Sequence, residues 1–154
     1  MSLESVRVFL AEHAPELEVI ETQDSTATVE EAAAVHGVKP DQIAKTIAAR
    51  LGDEVVLIVA AGTARLDNRK CKELFGVRPR MLAREEVEEI TGHPVGGVCP
   101  FGVKGDVPVY CDVSLRDYAE VIPAGGSPTA SVRLTVARLA EITSARWADL
   151  CKSG

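Results

Sequence analysis

Along the first dozen positions Leu3, Val6, Val8, Phe9 and Leu10 recur among polar residues at roughly helical spacing, which predicts an amphipathic helix over residues 3–12. Leu17 to Glu21 then alternates as a short strand. Thr28-Val29-Glu30-Glu31 has the S/T-x-x-E form of a capping box ahead of an alanine-rich stretch, and Gly37 supplies the stop. Ile43 to Arg50 and Val55 to Ala61 read as two strands of an antiparallel hairpin, joined at Gly52-Asp53, a glycine-first pair suited to a type II′ turn. Side chains alternate along a strand, so Ile43, Lys45, Ile47 and Ala49 share one face. A lysine therefore stands in an apolar row.

Asp67 is placed to cap a helix over residues 68–75 closed by Gly76, and residues 84–90 form another closed by Gly92. Further strands are expected at residues 107–111, 119–122 and 131–134, with helical pieces at 136–142 and near Trp147. Strands and helices intermingle without a regular βαβ period, which favours an α+β fold with a mixed, curved sheet over a doubly wound one. No repeat, low-complexity tract or linker divides the 154 residues, a length that suits one domain with one core.

Composition narrows the class. Hydrophobic residues are 46% and charged residues 26%, the balance of an ordinary globular chain. The longest apolar run, Val55 to Ala61, has seven residues, far short of the ~20 that cross a bilayer. The start, Met1-Ser2-Leu3-Glu4, lacks the basic and apolar regions of a secretory signal, so the cytoplasm is the expected location. Cys71, Cys99, Cys111 and Cys151 are widely spaced and form no zinc pattern with the three histidines, so reduced structural thiols are expected. Cys99 and Cys111 are the two that could face a pocket, without a partner to make a thiolate.

The net charge of −6 argues against general nucleic-acid binding, and DNA is not expected as a partner. That total hides an asymmetry. Residues 1–64 carry −7, whereas residues 65–84 hold seven basic and two acidic side chains. Arg65, Arg69, Lys70 and Lys72 are the candidates for phosphate contact, against the plainer reading of a solvated helix face.

Three features bear on chemistry. Lys45 in its apolar row must pair, snorkel or face a cavity; the plain alternatives are a partly solvated sheet face or a carboxylate partner such as Asp67 or Asp112. Residues 91–102, Thr-Gly-His-Pro-Val-Gly-Gly-Val-Cys-Pro-Phe-Gly, exceed any minimal turn, and their glycines allow close backbone approach to a carbonyl oxygen, although such a loop also serves as a mere connection. Ala124-Gly125-Gly126-Ser127 is either a second backbone lobe of the same pocket or a turn. No nucleotide P-loop, dinucleotide fingerprint or G-x-S-x-G elbow is present. Of His13, His36 and His93, only His93 lies in the glycine loop.

The ordered set Gln42-Ile43-Ala44-Lys45-Thr46, Asp67-Asn68-Arg69-Lys70, the glycine loop, Tyr110-Cys111-Asp112-Val113-Ser114-Leu115 and Ala124-Gly125-Gly126 resembles the YbaK/ProX family. That family includes freestanding relatives of the editing domain of bacterial prolyl-tRNA synthetase, and the resemblance covers about residues 26–143. It implies a compact α+β domain around a strongly bent, barrel-like sheet, and hydrolysis of the ester of a mischarged tRNA. It places the family's lysine on Lys45, its small polar neighbour on Thr46 and its G-x-x-x-P loop on Gly96, Gly97, Val98, Cys99 and Pro100. Phe101, Gly102, Asp112, Gly125 and Gly126 are expected to complete the substrate site.

The implied partners are the aminoacylated acceptor end of tRNA and an aminoacyl-tRNA synthetase, with no cofactor and no metal. Several relatives carry serine or histidine near the last glycine motif where this chain has Pro123-Ala124-Gly125-Gly126-Ser127, which leaves open the amino acid removed. As a mechanism, the Lys45 ammonium offsets charge and N–H groups of residues 96–102 hold the ester carbonyl, while the terminal ribose hydroxyl activates water, as proposed for the family. The competing readings are a noncatalytic module that binds tRNA or a synthetase, and a hydrolase of free amino-acid esters.

Overall fold

The computed structural model describes residues 2–153. The chain opens with α1 (Ser2–His13) and β1 (Ile20–Glu21), then α2 (Val29–His36) and the hairpin of β2 (Ile43–Leu51) and β3 (Glu54–Ala61). Next come β4 (Arg65–Leu66), α3 (Asn68–Phe75), β5 (Arg80–Met81) and α4 (Arg84–Thr91). After the glycine loop follow β6 (Val109–Asp112), β7 (Glu120–Pro123), β8 (Ala130–Ser131) and β9 (Leu134–Thr135), then α5 (Val136–Thr143), β10 (Arg146–Ala148) and β11 (Cys151–Lys152).

The main sheet runs β10-β6-β3-β2-β7-β9, with β5 also on β2, and mixes parallel with antiparallel pairs. It curls into a half-barrel within a single α+β domain. On one face Ala44, Ala48, Leu57 and Val59 pack with Val6 and Leu10 of α1 and Leu139 and Ile142 of α5. On the other, Val56, Ile58 and Ala60 pack with Cys71 of α3 and with Leu150 and Cys151. Both faces of β3 are thus covered, which explains its unbroken apolar run.

Local chemistry sets the helix ends. Thr28 Oγ1 accepts from Glu31 N–H at 3.1 Å and Glu31 Oε1 accepts from Thr28 N–H at 3.2 Å, the reciprocal capping box. Asp67 Oδ1 accepts from the N–H groups of Arg69 and Lys70 and so starts α3. In the hairpin Gly52 has φ 68°, the left-handed first position of its turn.

Three expectations need correction. Residues near Trp147 form β10 and not a helix: α5 is stopped by Ser144 at φ 52°, and the chain then pairs in parallel with β6, Trp147 opposite Cys111. Arg116 covers the indole at 4.2 Å. The single strand expected at 131–134 is divided, because β8 pairs with β1 while β9 pairs with β7. The strand expected at residues 17–21 is confined to Ile20–Glu21.

Candidate active site

On the edge of β2 away from β3, β7 pairs only with Ile43 and Ala44, and β5 only with Ala49 and Arg50. Leu82 N–H donates to the Ala48 carbonyl at 3.2 Å on that edge. A strand residue turns its N–H and C=O to the same side, and alternate residues match, so the Thr46 backbone groups point into the interval between β5 and β7. A cavity of about 280 Å³ occupies this interval. All of residues 43–48 line it, which alternating side chains achieve only where a cavity meets the strand edge-on. Val29 and Ala32 of α2, Leu82, Val87, Val95, Gly96, Val98 and Ala124 complete a largely apolar wall.

Lys45 stands opposite Ala60 of β3 and reaches the bend beyond that strand. Its ammonium donates to the Gly62 carbonyl at 3.2 Å and to the Ala64 carbonyl. A Cβ on Gly62 would lie 2.2 Å from the Pro40 oxygen and 2.6 Å from a Val29 methyl, so glycine lets this carbonyl shelf press against the start of α2. An ammonium has three N–H donors, and two are held by the shelf, which leaves one for a ligand. Burial holds the Lys45 pKa below the usual lysine value, partly countered by Cys151 and reinforced by Arg65. Beside it, the Thr46 hydroxyl is shielded from solvent and has no hydrogen-bond partner.

Neither carboxylate considered for Lys45 pairs with it. Asp67 caps α3, and Asp112 accepts from Leu150 N–H at 2.7 Å, Cys151 N–H at 3.0 Å and Ser114 N–H at 2.9 Å. Asp112 thus ties the C-terminal segment to β6 and, with Lys70, borders a separate cavity of about 530 Å³.

Of the glycine loop, Val95, Gly96 and Val98 reach the cavity wall with Lys45 and Thr46. Gly97 N–H is engaged by the Pro94 carbonyl at 2.9 Å, and the Gly97 carbonyl accepts from Gly126 N–H at 3.1 Å, so the two glycine segments lie against each other. Cys99, Pro100 and Phe101 are buried, Cys99 and Phe101 in the main core. Gly102 packs on the Ser5 carbonyl of α1 and Gly125 on Ala130. These residues build the support behind the wall and do not line the cavity.

Residues 23–142 match the family described as the aminoacyl-tRNA editing domain. The chain belongs to that family. YwhH, an uncharacterized protein of Bacillus subtilis, is 47% identical over 154 residues, covering 99% of this chain and 98% of that one. A proline–tRNA ligase of Bacillus cereus is 31% identical over 98 residues, and the match spans 63% of this chain but 17% of the ligase. A crystal structure described as a candidate trans-editing enzyme for prolyl tRNA synthetase superposes with a TM-score of 0.91 at 37% identity, covering 99% of this chain and 98% of its own. The YbaK-type resemblance read from the ordered motifs is therefore sound, and so is the α+β fold that it implied.

Elsewhere in this editing domain, His93 and the four cysteines lie away from this cavity. His93 is buried, with Nε2 2.7 Å from the Phe101 carbonyl and Nδ1 2.5 Å from Ser2 Oγ, and burial lowers its pKa. It does not line the cavity. All four cysteines are free and buried, and burial pushes the thiols of Cys99, Cys111 and Cys151 up to about 12. A thiol so raised is a poor nucleophile. Arg69 and Lys72 project from α3 into solvent, Arg65 is exposed on β4, and Lys70 is drawn to Asp149 at 2.9 Å and to the Cys151 carbonyl. None of these four lines the cavity at Lys45.

Sequence reasoning missed the unpaired interval on the β2 edge between β5 and β7, the Thr46 backbone facing it, and the carbonyl shelf at Gly62 and Ala64. The only sequence signal for the shelf was Gly62-Thr63 directly after an apolar strand. Among the described residues no helix is long and apolar enough to cross a membrane, and no cluster of three His, Cys, Asp or Glu side chains is placed to hold a metal ion.

Proposed function

We propose that the chain is a trans-editing aminoacyl-tRNA deacylase acting in the cytoplasm on a tRNA that carries a small wrong amino acid, of the Ala, Cys or Ser class, on tRNA-Pro or a related tRNA. The observation that carries this reading is Lys45, which lines a small apolar cavity and whose ammonium is held by two carbonyls with one of its three N–H donors left over. A volume of about 280 Å³ lies just below the ~300–1,000 Å³ of ordinary small-molecule pockets, which suits an aminoacyl group and part of its ribose better than a whole nucleotide.

In the reaction, water oxygen bonds to the ester carbonyl carbon and negative charge develops on the carbonyl oxygen. The Thr46 N–H and the remaining Lys45 donor are the groups assigned to that oxygen, against a largely apolar wall. Collapse breaks the bond from acyl carbon to ribose oxygen, and the departing oxygen takes a proton, relayed from the water through the neighbouring ribose hydroxyl. The products are a free amino acid and a tRNA with its terminal hydroxyl restored. No side chain on the cavity wall is a ready general base, which fits a share of the proton transfer being carried by the substrate. Gly97, Cys99, Pro100, Phe101, Gly102, Gly125 and Gly126 then act as the scaffold that sets Gly96 and Val98 in place, and a synthetase is the natural source of mischarged tRNA.

Release of amino acid from Ala-, Cys- and Ser-tRNA by wild type and Lys45→Ala tests this. Loss of charge stabilisation at the carbonyl oxygen is expected to lower the rate by about 10²-fold or more. Equal rates in the two proteins would remove Lys45 from the chemistry, and no turnover by wild type on any of a full panel of mischarged tRNAs would favour a binding module.

A further inference from the structure

Of the residues that line the cavity, three are exposed, Thr28, Met81 and Val95, so these frame its mouth. Met81 at 65% has the greatest exposure of any large hydrophobic side chain among the described residues, and Val95 is 39% exposed. A solitary exposed hydrophobic is ordinary. Two at the opening of one cavity are a different matter, because the opening is where the part of a substrate too large for the cavity must lie. Met81 is not a frayed side chain either: it is registered opposite Ala49 of β2, and the next residue, Leu82, is buried in the core.

The inference rests on the deacylase reading. The ester joins the acyl group directly to the terminal ribose, and the base is bonded directly to that ribose. With the acyl group inside the cavity beside Lys45 and Thr46, the ribose sits toward the mouth and the base falls on its rim. We propose that Met81 and Val95 seat the terminal adenine of the acceptor end, with the Met81 thioether against the ring. Thioethers contact aromatic rings favourably, and a neutral apolar rim suits a nucleobase better than a phosphate. The same contact holds the adenosine alike before and during bond breaking, so Met81 binds the substrate and takes no part in the chemistry.

The sequence offers a clean probe, since Met81 and Met1 are its only methionines. With ¹³C-methyl methionine in the full chain, addition of alanine amide-linked to 3′-amino-3′-deoxyadenosine, which resists hydrolysis, is expected to move the Met81 methyl resonance upfield by ring current. The same alanyl amide on a ribose without a base is expected to leave it in place. In turnover, Met81→Gln is expected to raise KM for alanyl-adenosine by about three- to tenfold with kcat unchanged, and Met81→Leu to stay near wild type. A Met81 methyl that stays put while the Thr46 amide shifts would overturn the proposal and leave the deacylase reading standing. Adenosine-dependent movement of the methyl without turnover by wild type would do the reverse, and no response anywhere in the chain would overturn both.

Discussion

Lys45 binds its proton less tightly than an exposed lysine, because burial penalises the charged form more than the nearby Cys151 and Glu30 favour it. If the ammonium is the working form, the part of the deacylation rate that depends on Lys45 falls as pH rises, and does so below the range of an ordinary lysine near ~10.4. The comparison of wild type with Lys45→Ala across pH 6 to about 10 isolates that part from the base-catalysed loss of the ester itself. A constant ratio between the two over this span would mean that no proton on Lys45 matters. That a lysine stood among inward apolar residues was legible from strand alternation alone. Its partners were not, because Gly62 and Ala64 come to it through a bend whose direction depends on contact with Pro40 and Val29, and no local pattern records such a contact.

At the scale of elements, what a few neighbouring residues decide was legible and what distant pairing decides was not. The capping box at Thr28, the Asp67 cap and the stops at Gly37, Gly76 and Gly92 all act within one turn, and the helices they bound lie where the sequence puts them. β4, β5 and β11 are two residues each and exist only because a partner strand arrives, so nothing in their own sequence marks them. The strand β10 was misread for the same reason, since its pairing with β6 spans more than thirty residues. The glycine segments show how elements become a site. An alanine at Gly97 would put its Cβ 2.6 Å from the Ser127 nitrogen and 2.8 Å from the Gly126 carbonyl carbon, both of them backbone atoms that do not swing aside. Gly97→Ala is therefore expected to cost about 1–3 kcal/mol in denaturant unfolding, and to lower kcat as Gly96 and Val98 are pushed from the wall. Gly105, whose Cβ would meet nothing within 4 Å, supplies the control: its φ of 75° is strained for alanine, but turnover is expected to be kept. Full activity in Gly97→Ala would show that the loop backbone need not hold its place.

Across the whole molecule, charge and cavity are arranged separately. The chain carries −6, yet residues 65–84 hold +5, and the exposed side chains of Arg69 and Lys72 on α3 form part of this basic segment. An acidic protein that acts on a polyanion needs such a local reversal, since repulsion from the rest of its surface otherwise opposes every approach. Lys70 contributes less than its position suggests, because Asp149 and the Cys151 carbonyl already occupy its ammonium. The double change Arg69→Glu and Lys72→Glu is accordingly expected to weaken tRNA binding several-fold at low salt. The slope of log affinity against log salt is expected to become shallower by about 1 for each side chain that no longer meets a phosphate. Hydrolysis of alanyl-adenosine, which lacks the acceptor stem, is expected to be unchanged by the same substitutions, because neither side chain lines the cavity at Lys45. Affinity for tRNA that stays the same at low salt would assign the basic segment to the solvated surface, and a matching loss on alanyl-adenosine would mean that α3 acts through the Lys45 shelf and not on the nucleic acid.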